Sequence, residues 1–211
     1  MRIGLAASGQ GIGEAIGAVV VDRSGRNGPS VVAVAGDARW NGIARPDEGG
    51  NGNAMAHAVM RVIGMVAKQR LALHHPAERP ASDEDDSKLF ADAPITTLEK
   101  EVYSGSTLAP GGYLCLDLEL YLTHEPCMMC SMAILHSRFG RVIFGRRMPH
   151  TGGLAADQLE SDTAGSNDSR NVDSSAYGLW WRPELNWKLL AWQWVDEHHQ
   201  SEDAVDQTVH A

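Results

Sequence analysis

Hydrophobic and polar positions fall into short blocks along the chain. Residues 16–22 form a compact apolar run. A turn over 23–27 contains Gly25, and residues 31–35 form a second apolar run. Two such blocks around a tight turn predict a β-hairpin. Residues 41–52 are rich in Gly and Asn and read as loop. From 54 to about 72, Met55, Ala56, Val59, Met60, Val62, Ile63, Val66 and Ala67 fill most of a helical circumference. This predicts a helix buried against a sheet, with Asn53 as its N-cap. Residues 118–123 alternate with period two and predict a strand. Pro126 follows, with a fixed φ and missing N–H that suit a helix start. A helix is expected from Cys127 to about Ser137, with Arg138 at its negative end. Residues 141–145 read as another strand, and the tryptophan-dense stretch 178–195 packs as helix or strand. Strands alternating with helices predict an α/β fold in which a sheet is layered between helices.

Two stretches break the pattern. Around 75–112 the chain carries the acidic run 82–87 and Pro76, Pro80, Pro94 and Pro110. Residues 151–177 are rich in Gly, Ser, Asp and Asn. Both read as flexible surface insertions in a single domain, 1–211.

Charge and cysteine content narrow the function. The 211 residues are 43% hydrophobic and carry a formal charge of -9. Phosphate gripping relies on clustered Lys and Arg, so this chain is not expected to hold nucleic acid by itself. No apolar run is long enough to span a bilayer, and no membrane partner is expected. The three cysteines are odd in number, and two stand at metal-ligand spacing. A reduced intracellular compartment is therefore expected, with Cys115 an ordinary buried thiol.

That spacing carries the chemistry. Cys127 and Cys130 stand three apart behind Pro126, so a helix puts both on one face. His57 opens the earlier helix. One nitrogen and two sulfurs suit zinc and leave a tetrahedral ion one open position. A C-x-x-C alone also fits a redox pair, and a lone histidine also fits a core position. Strand, proline, C-x-x-C and helix after an upstream histidine together favour metal binding. His74, His75, His198, His199 and His210 sit at a helix end or in the polar tail and are expected to be solvated. Gly9-Gln10-Gly11-Ile12-Gly13 precedes a strand instead of following one, which excludes a dinucleotide loop. Trp180, Trp181, Trp187, Trp192 and Trp194 suit either base stacking or packing in core or interface, and packing is favoured because few basic residues lie among them.

His57-Ala58-Val59 and the stretch 120–138, with Pro126-Cys127-Met128-Met129-Cys130 at its centre, resemble the cytidine deaminase superfamily. Val59 stands where that signature has its proton-shuttling glutamate. The valine and the Ala133-Ile134-Leu135-His136-Ser137-Arg138 helix end narrow the resemblance. They are similar to the non-catalytic subunits of the eukaryotic heterodimeric tRNA wobble-adenosine deaminases. The resemblance more loosely covers the tail from Gly178 to Lys188.

The resemblance implies a three-layer α/β/α sandwich with a mixed five-stranded sheet. It implies zinc as cofactor on His57, Cys127 and Cys130, and no catalytic residue. It also implies a catalytic deaminase subunit as partner, tRNA reached through the complex, and a location in nucleus and cytoplasm. The helix after Cys127, with Met128, Met129 and Met132, is expected to contact the partner. Family members carry an RNA-binding domain before the core, and none is expected before the first strand here. The isolated chain is expected to be inactive. Two alternatives stand beside this reading. One is an active nucleoside or nucleotide deaminase with Glu125 as relocated acid/base. The other is a zinc-stabilised interaction module unrelated to RNA.

Overall fold

Residues 17–22 and 30–36 form the hairpin that the apolar blocks require. β1 (Gly17–Asp22) pairs antiparallel with β2 (Ser30–Gly36), the register slipping between Val20 and Val21. β1 also pairs antiparallel with β3 (Leu118–His124). β3 then pairs in parallel with β4 (Arg141–Arg146), and β4 with β5 (Leu190–Gln193). The mixed five-stranded sheet has the order β2-β1-β3-β4-β5, so the ambiguous tryptophan stretch supplies an edge strand. In the computed structural model the described residues are 2–8, 12–25, 28–41, 52–74, 91–106, 108–109, 112–155, 178–179, 183–195, 205–206 and 208–211. The acidic run, most of the 41–52 loop, residues 156–177, Trp180, Trp181, His75, His198 and His199 lie outside them.

One sheet face carries α2 (Ala58–His74) and α4 (Met128–His136). Val59, Val62 and Val66 of α2 and Ile134 and Leu135 of α4 bury against Ala18, Val20, Leu120, Leu122, Val142 and Phe144. These positions alternate along their strands, so they share one face of the sheet. The other face carries α1 (Arg2–Ser8) over β1, β2 and β3, and α3 (Thr97–Gly105) over β2. Ala7, Leu98 and Val102 pack there on Val19, Val34 and Tyr121. A Cβ at Gly17 would collide with the Gly4 carbonyl, so glycine lets α1 lie directly on the strand. Among the described residues, no helix is long and apolar enough to cross a membrane.

Two local expectations are corrected. The helix expected from 54 begins at Ala58 instead. Asn53 caps the turn before it, its side-chain oxygen accepting from the Met55 N–H at 3.0 Å. This turn leaves His57 outside the helix. The 75–112 insertion also contains an ordered part. α3 opens with a capping box in which Thr96 and Glu99 satisfy each other's backbone N–H. Glu99 is fully buried and bonds Arg61 of α2 at 2.7 and 2.8 Å. The long-range partner Arg61 was invisible to a composition-based reading of that stretch.

Candidate metal centre

The turn ended by Asn53 delivers His57 to the mouth of α2, and the 3-residue stagger of Cys127 and Cys130 presents both sulfurs at the start of α4. Cys127 is the N-cap of α4, and Cys130 lies one turn in. His57 Nδ1 stands 3.8 Å from Cys127 Sγ and 3.6 Å from Cys130 Sγ. All three side chains are buried, and their ligand atoms lie within 4.8 Å of one another. Zinc bonds of about 2.3 Å to sulfur and about 2.1 Å to nitrogen, at a tetrahedral angle, separate the donors by about 3.6 Å. The donor set and its spacing therefore fit zinc.

The electrostatics agree. The hydrogen bond from Cys130 pushes the Cys127 thiol down to about 4, helped by His57 and opposed by burial. Cys130 moves upward, raised by its bond to Cys127 and by complete burial. A divalent cation at the cluster would stabilise both sulfurs as thiolates.

Val59, two residues beyond His57, is 2% exposed and belongs to the same apolar cluster as Cys127 and Cys130. It offers no group that could move a proton. Glu125 is also unsuited to that work. Its carboxylate accepts from the Ala155 N–H at 2.8 Å, the Met148 N–H at 3.2 Å and the Arg147 Nε at 2.9 Å. A Cβ on Gly152 would collide with it. Glu125 thus ties the end of β3 to the chain that follows β4. Glu125→Gln is expected to lower stability by about 1–3 kcal/mol, since an amide cannot accept at all these donors. Metal content should stay unchanged. Denaturant unfolding with metal analysis checks both.

A further segment at the site had no signature in the sequence. The Ala211 carbonyl accepts from the Cys127 N–H at 2.9 Å, the His210 carbonyl from Arg39 at 2.7 Å, and the Val209 carbonyl from the Thr151 hydroxyl at 2.8 Å. Arg39 is itself held by the buried Asp37. Residues 209–211 are therefore fastened beside Cys127. All three bonds use tail backbone carbonyls, so side-chain identity could not reveal them. His74 and His210 are exposed, as expected.

Of the tail tryptophans, the described Trp187, Trp192 and Trp194 lie on the β4–β5 side instead. The Trp187 indole donates to the Phe139 carbonyl at 2.7 Å, and Arg138 lies 5.2 Å over its ring. Arg138 adopts φ 68° just past the α4 C-cap, a left-handed position that glycine usually fills. Its guanidinium is thereby turned onto Trp187.

The family model for the cytidine and deoxycytidylate deaminase zinc-binding region matches residues 5–146. The Schizosaccharomyces pombe tRNA-specific adenosine deaminase subunit tad3 is 34% identical over 140 residues, 66% of this chain and 30% of that protein. A Saccharomyces cerevisiae protein, tRNA-specific adenosine deaminase subunit TAD3, is 46% identical over 69 residues, 33% of this chain and 21% of its own length. A Danio rerio protein, named a probable inactive tRNA-specific adenosine deaminase-like protein 3, is 32% identical over 142 residues, 66% of this chain and 34% of that protein. A solved structure from a study of A-to-I editing by tRNA:A34 deaminases aligns with 92% of this chain and 95% of its own, at 19% identity and a TM-score of 0.46. The chain spans about a third or less of the length of these three curated relatives. With the matched region covering both halves of the His57–Cys127–Cys130 cluster, the chain belongs to the cytidine and deoxycytidylate deaminase family.

Proposed function

We propose that this chain is a non-catalytic, zinc-holding subunit that pairs with an active deaminase subunit for adenosine-to-inosine conversion at the tRNA wobble position. The observation that carries the reading is Val59, buried in apolar core beside an intact set of metal donors. His57, Cys127 and Cys130 would hold the zinc. When bound, zinc supplies a Lewis acid and a cross-link between two helix starts. In the deaminase signature the reaction further needs a carboxylate that moves protons at the metal centre. Val59 cannot do this, and Glu125 is engaged by three donors. The chain's own work is then to hold a rigid surface for the partner and to meet tRNA within the complex. Its relatives' names as tRNA adenosine deaminase subunits, and as a probable inactive one, support this. Nucleus and cytoplasm are the proposed location.

Co-expression with a family member that carries glutamate at the Val59 position tests the pairing. A stable complex that forms inosine in tRNA, with no turnover by either isolated Val59 chain or apo partner mixture lacking this subunit, is expected. Absence of any such complex would leave the reading without support. Half-buried Met128, Met129 and Met132 on α4 are the proposed contact. Met129→Asp should separate the subunits and leave zinc in place.

Val59→Glu tests the reading from inside. The new carboxylate would enter apolar core with no partner waiting for it, at a cost of several kcal/mol or with the proton retained. The expected outcome is a lowered melting temperature and no deamination by the chain alone. Robust inosine formation by the Val59→Glu chain would mean that the carboxylate was all that was missing.

A further inference from the structure

Among the described residues, the helices on one sheet face cover only its β2, β1 and β3 half. Cross-strand pairing aligns Glu119, Arg141 and Leu190 in one row and Tyr121, Ile143 and Trp192 in the next. Side chains in such rows share a face. It is the face on which α1 rests over β1, β2 and β3, and α3 over β2. Toward the β5 edge, Leu190, Trp192 and Trp194 are 54%, 46% and 60% exposed. The Trp194 N–H bonds the Phe144 carbonyl at 2.7 Å, so the ladder continues past β5. The two indoles thus stand on one face, about 6.6 Å apart along the chain.

Two cations gather on the same face. Arg23 Nε lies 2.6 Å from one Glu119 oxygen and its other nitrogen 2.7 Å from the Tyr121 hydroxyl. Arg141 lies 2.7 Å from the second Glu119 oxygen. The Glu119 side chain is 7% exposed, while those of Arg23 and Arg141 are 52% and 56% exposed. One buried carboxylate therefore holds two guanidiniums in place, and the cluster keeps a net positive charge on an acidic chain. Few basic residues stand near the tryptophans in sequence. The sheet register brings Arg141 beside Leu190, and Arg23 follows β1 onto the same face.

We propose that this half-face docks a short single-stranded RNA segment, with two bases stacked on Trp192 and Trp194 and neighbouring phosphates on Arg141 and Arg23. Every base has a face that stacks on an indole. Guanidiniums already held by a carboxylate lose little freedom when they meet phosphate. An apolar protein segment would have to desolvate both cations without an acid to pair them, which favours RNA as the occupant. The proposal rests on the tRNA reading for the source of that RNA, an unpaired loop.

Fluorescence anisotropy of a labelled uridylate decamer, titrated with the 211-residue chain, tests it. Saturable binding is expected, weakened about tenfold or more in Trp192→Leu/Trp194→Leu. Leucine keeps apolar area and removes the stacking face. Arg141→Gln should flatten the salt dependence by about 0.7 in the log–log slope. Unchanged zinc content and melting temperature certify the fold of each variant. No binding by the parent chain, equal affinity in the leucine variant, or equally tight binding of blunt duplex RNA would overturn the proposal. So would leucine variants that lose the protein partner while holding the decamer normally. A failed inosine assay with intact decamer binding would count against the proposed function alone, so the two failures are distinguishable.

Discussion

Cys127→Ala is expected to abolish stoichiometric zinc binding and to lower the melting temperature by about 10 °C. The parent chain should carry one ion. A ligand present at a thousandfold over its dissociation constant stabilises the folded state by about 4 kcal/mol. In a chain of this size each kcal/mol moves the midpoint by about 2–4 °C. The substitution also acts on a pair of helix starts, since Cys127 is the N-cap of α4 and His57 precedes α2. Metal analysis and calorimetry, with and without chelator, check the result. The chelated parent and the variant should converge on one midpoint. A variant that retains its zinc, or a parent indifferent to chelation, would rule out this metal centre.

Arg61→Leu is expected to cost about 3–5 kcal/mol, because it leaves the Glu99 carboxylate buried without its cation. Stabilities of natural domains are about 5–15 kcal/mol, so this one change removes a large share. Both side chains of the pair are 0% exposed. Arg61 also donates to the carbonyls of Gly36 and Ala91 at 2.6 and 2.8 Å. Glu99 accepts from the N–H groups of Gly36, Ile95 and Thr96. Replacing both by leucine should therefore recover little, as several buried backbone groups lose their partners. Burial pushes the Glu99 carboxyl up, but Arg61 and the N–H groups of Ile95 and Gly36 outweigh it and hold it below its ordinary 4.5. A depressed carboxyl stabilises the fold fully above that ordinary value and loses the contribution as the pH falls through the depressed one. Arg61→Leu should thus flatten the acid limb of the stability profile below pH 4.5. Urea unfolding of both proteins across that range reads the difference.

Elements marked by local apolar runs, turns and spacing were legible in the sequence. The hairpin follows from two compact apolar runs around a turn, β3 from period-two alternation, and α4 from Pro126 and the Cys127–Cys130 spacing. The metal donors were legible for the same reason, because each sits at a helix start that its neighbours define. Boundaries set by a single turn were less so. Asn53 caps a turn instead of the helix, since its side chain reaches the Met55 N–H before the helix begins. α1, only 7 residues long, owes its place to the glycines that let it touch the strands.

The amino-acid sequence by itself determined the α/β class and singled out three candidate metal donors, because each depends on residue type at short spacing, while Val59 was read against the deaminase signature. Tertiary structure alone decided what surrounds them. Arg61 and Glu99 meet across 38 residues of chain, Glu125 is consumed by donors from beyond β4, and residues 209–211 are fastened beside Cys127 through backbone carbonyls. Arg23 and Arg141 join the Trp192 face only through strand register. Such contacts lie far apart in the chain, and several use main-chain groups that every residue shares, so no local pattern encodes them.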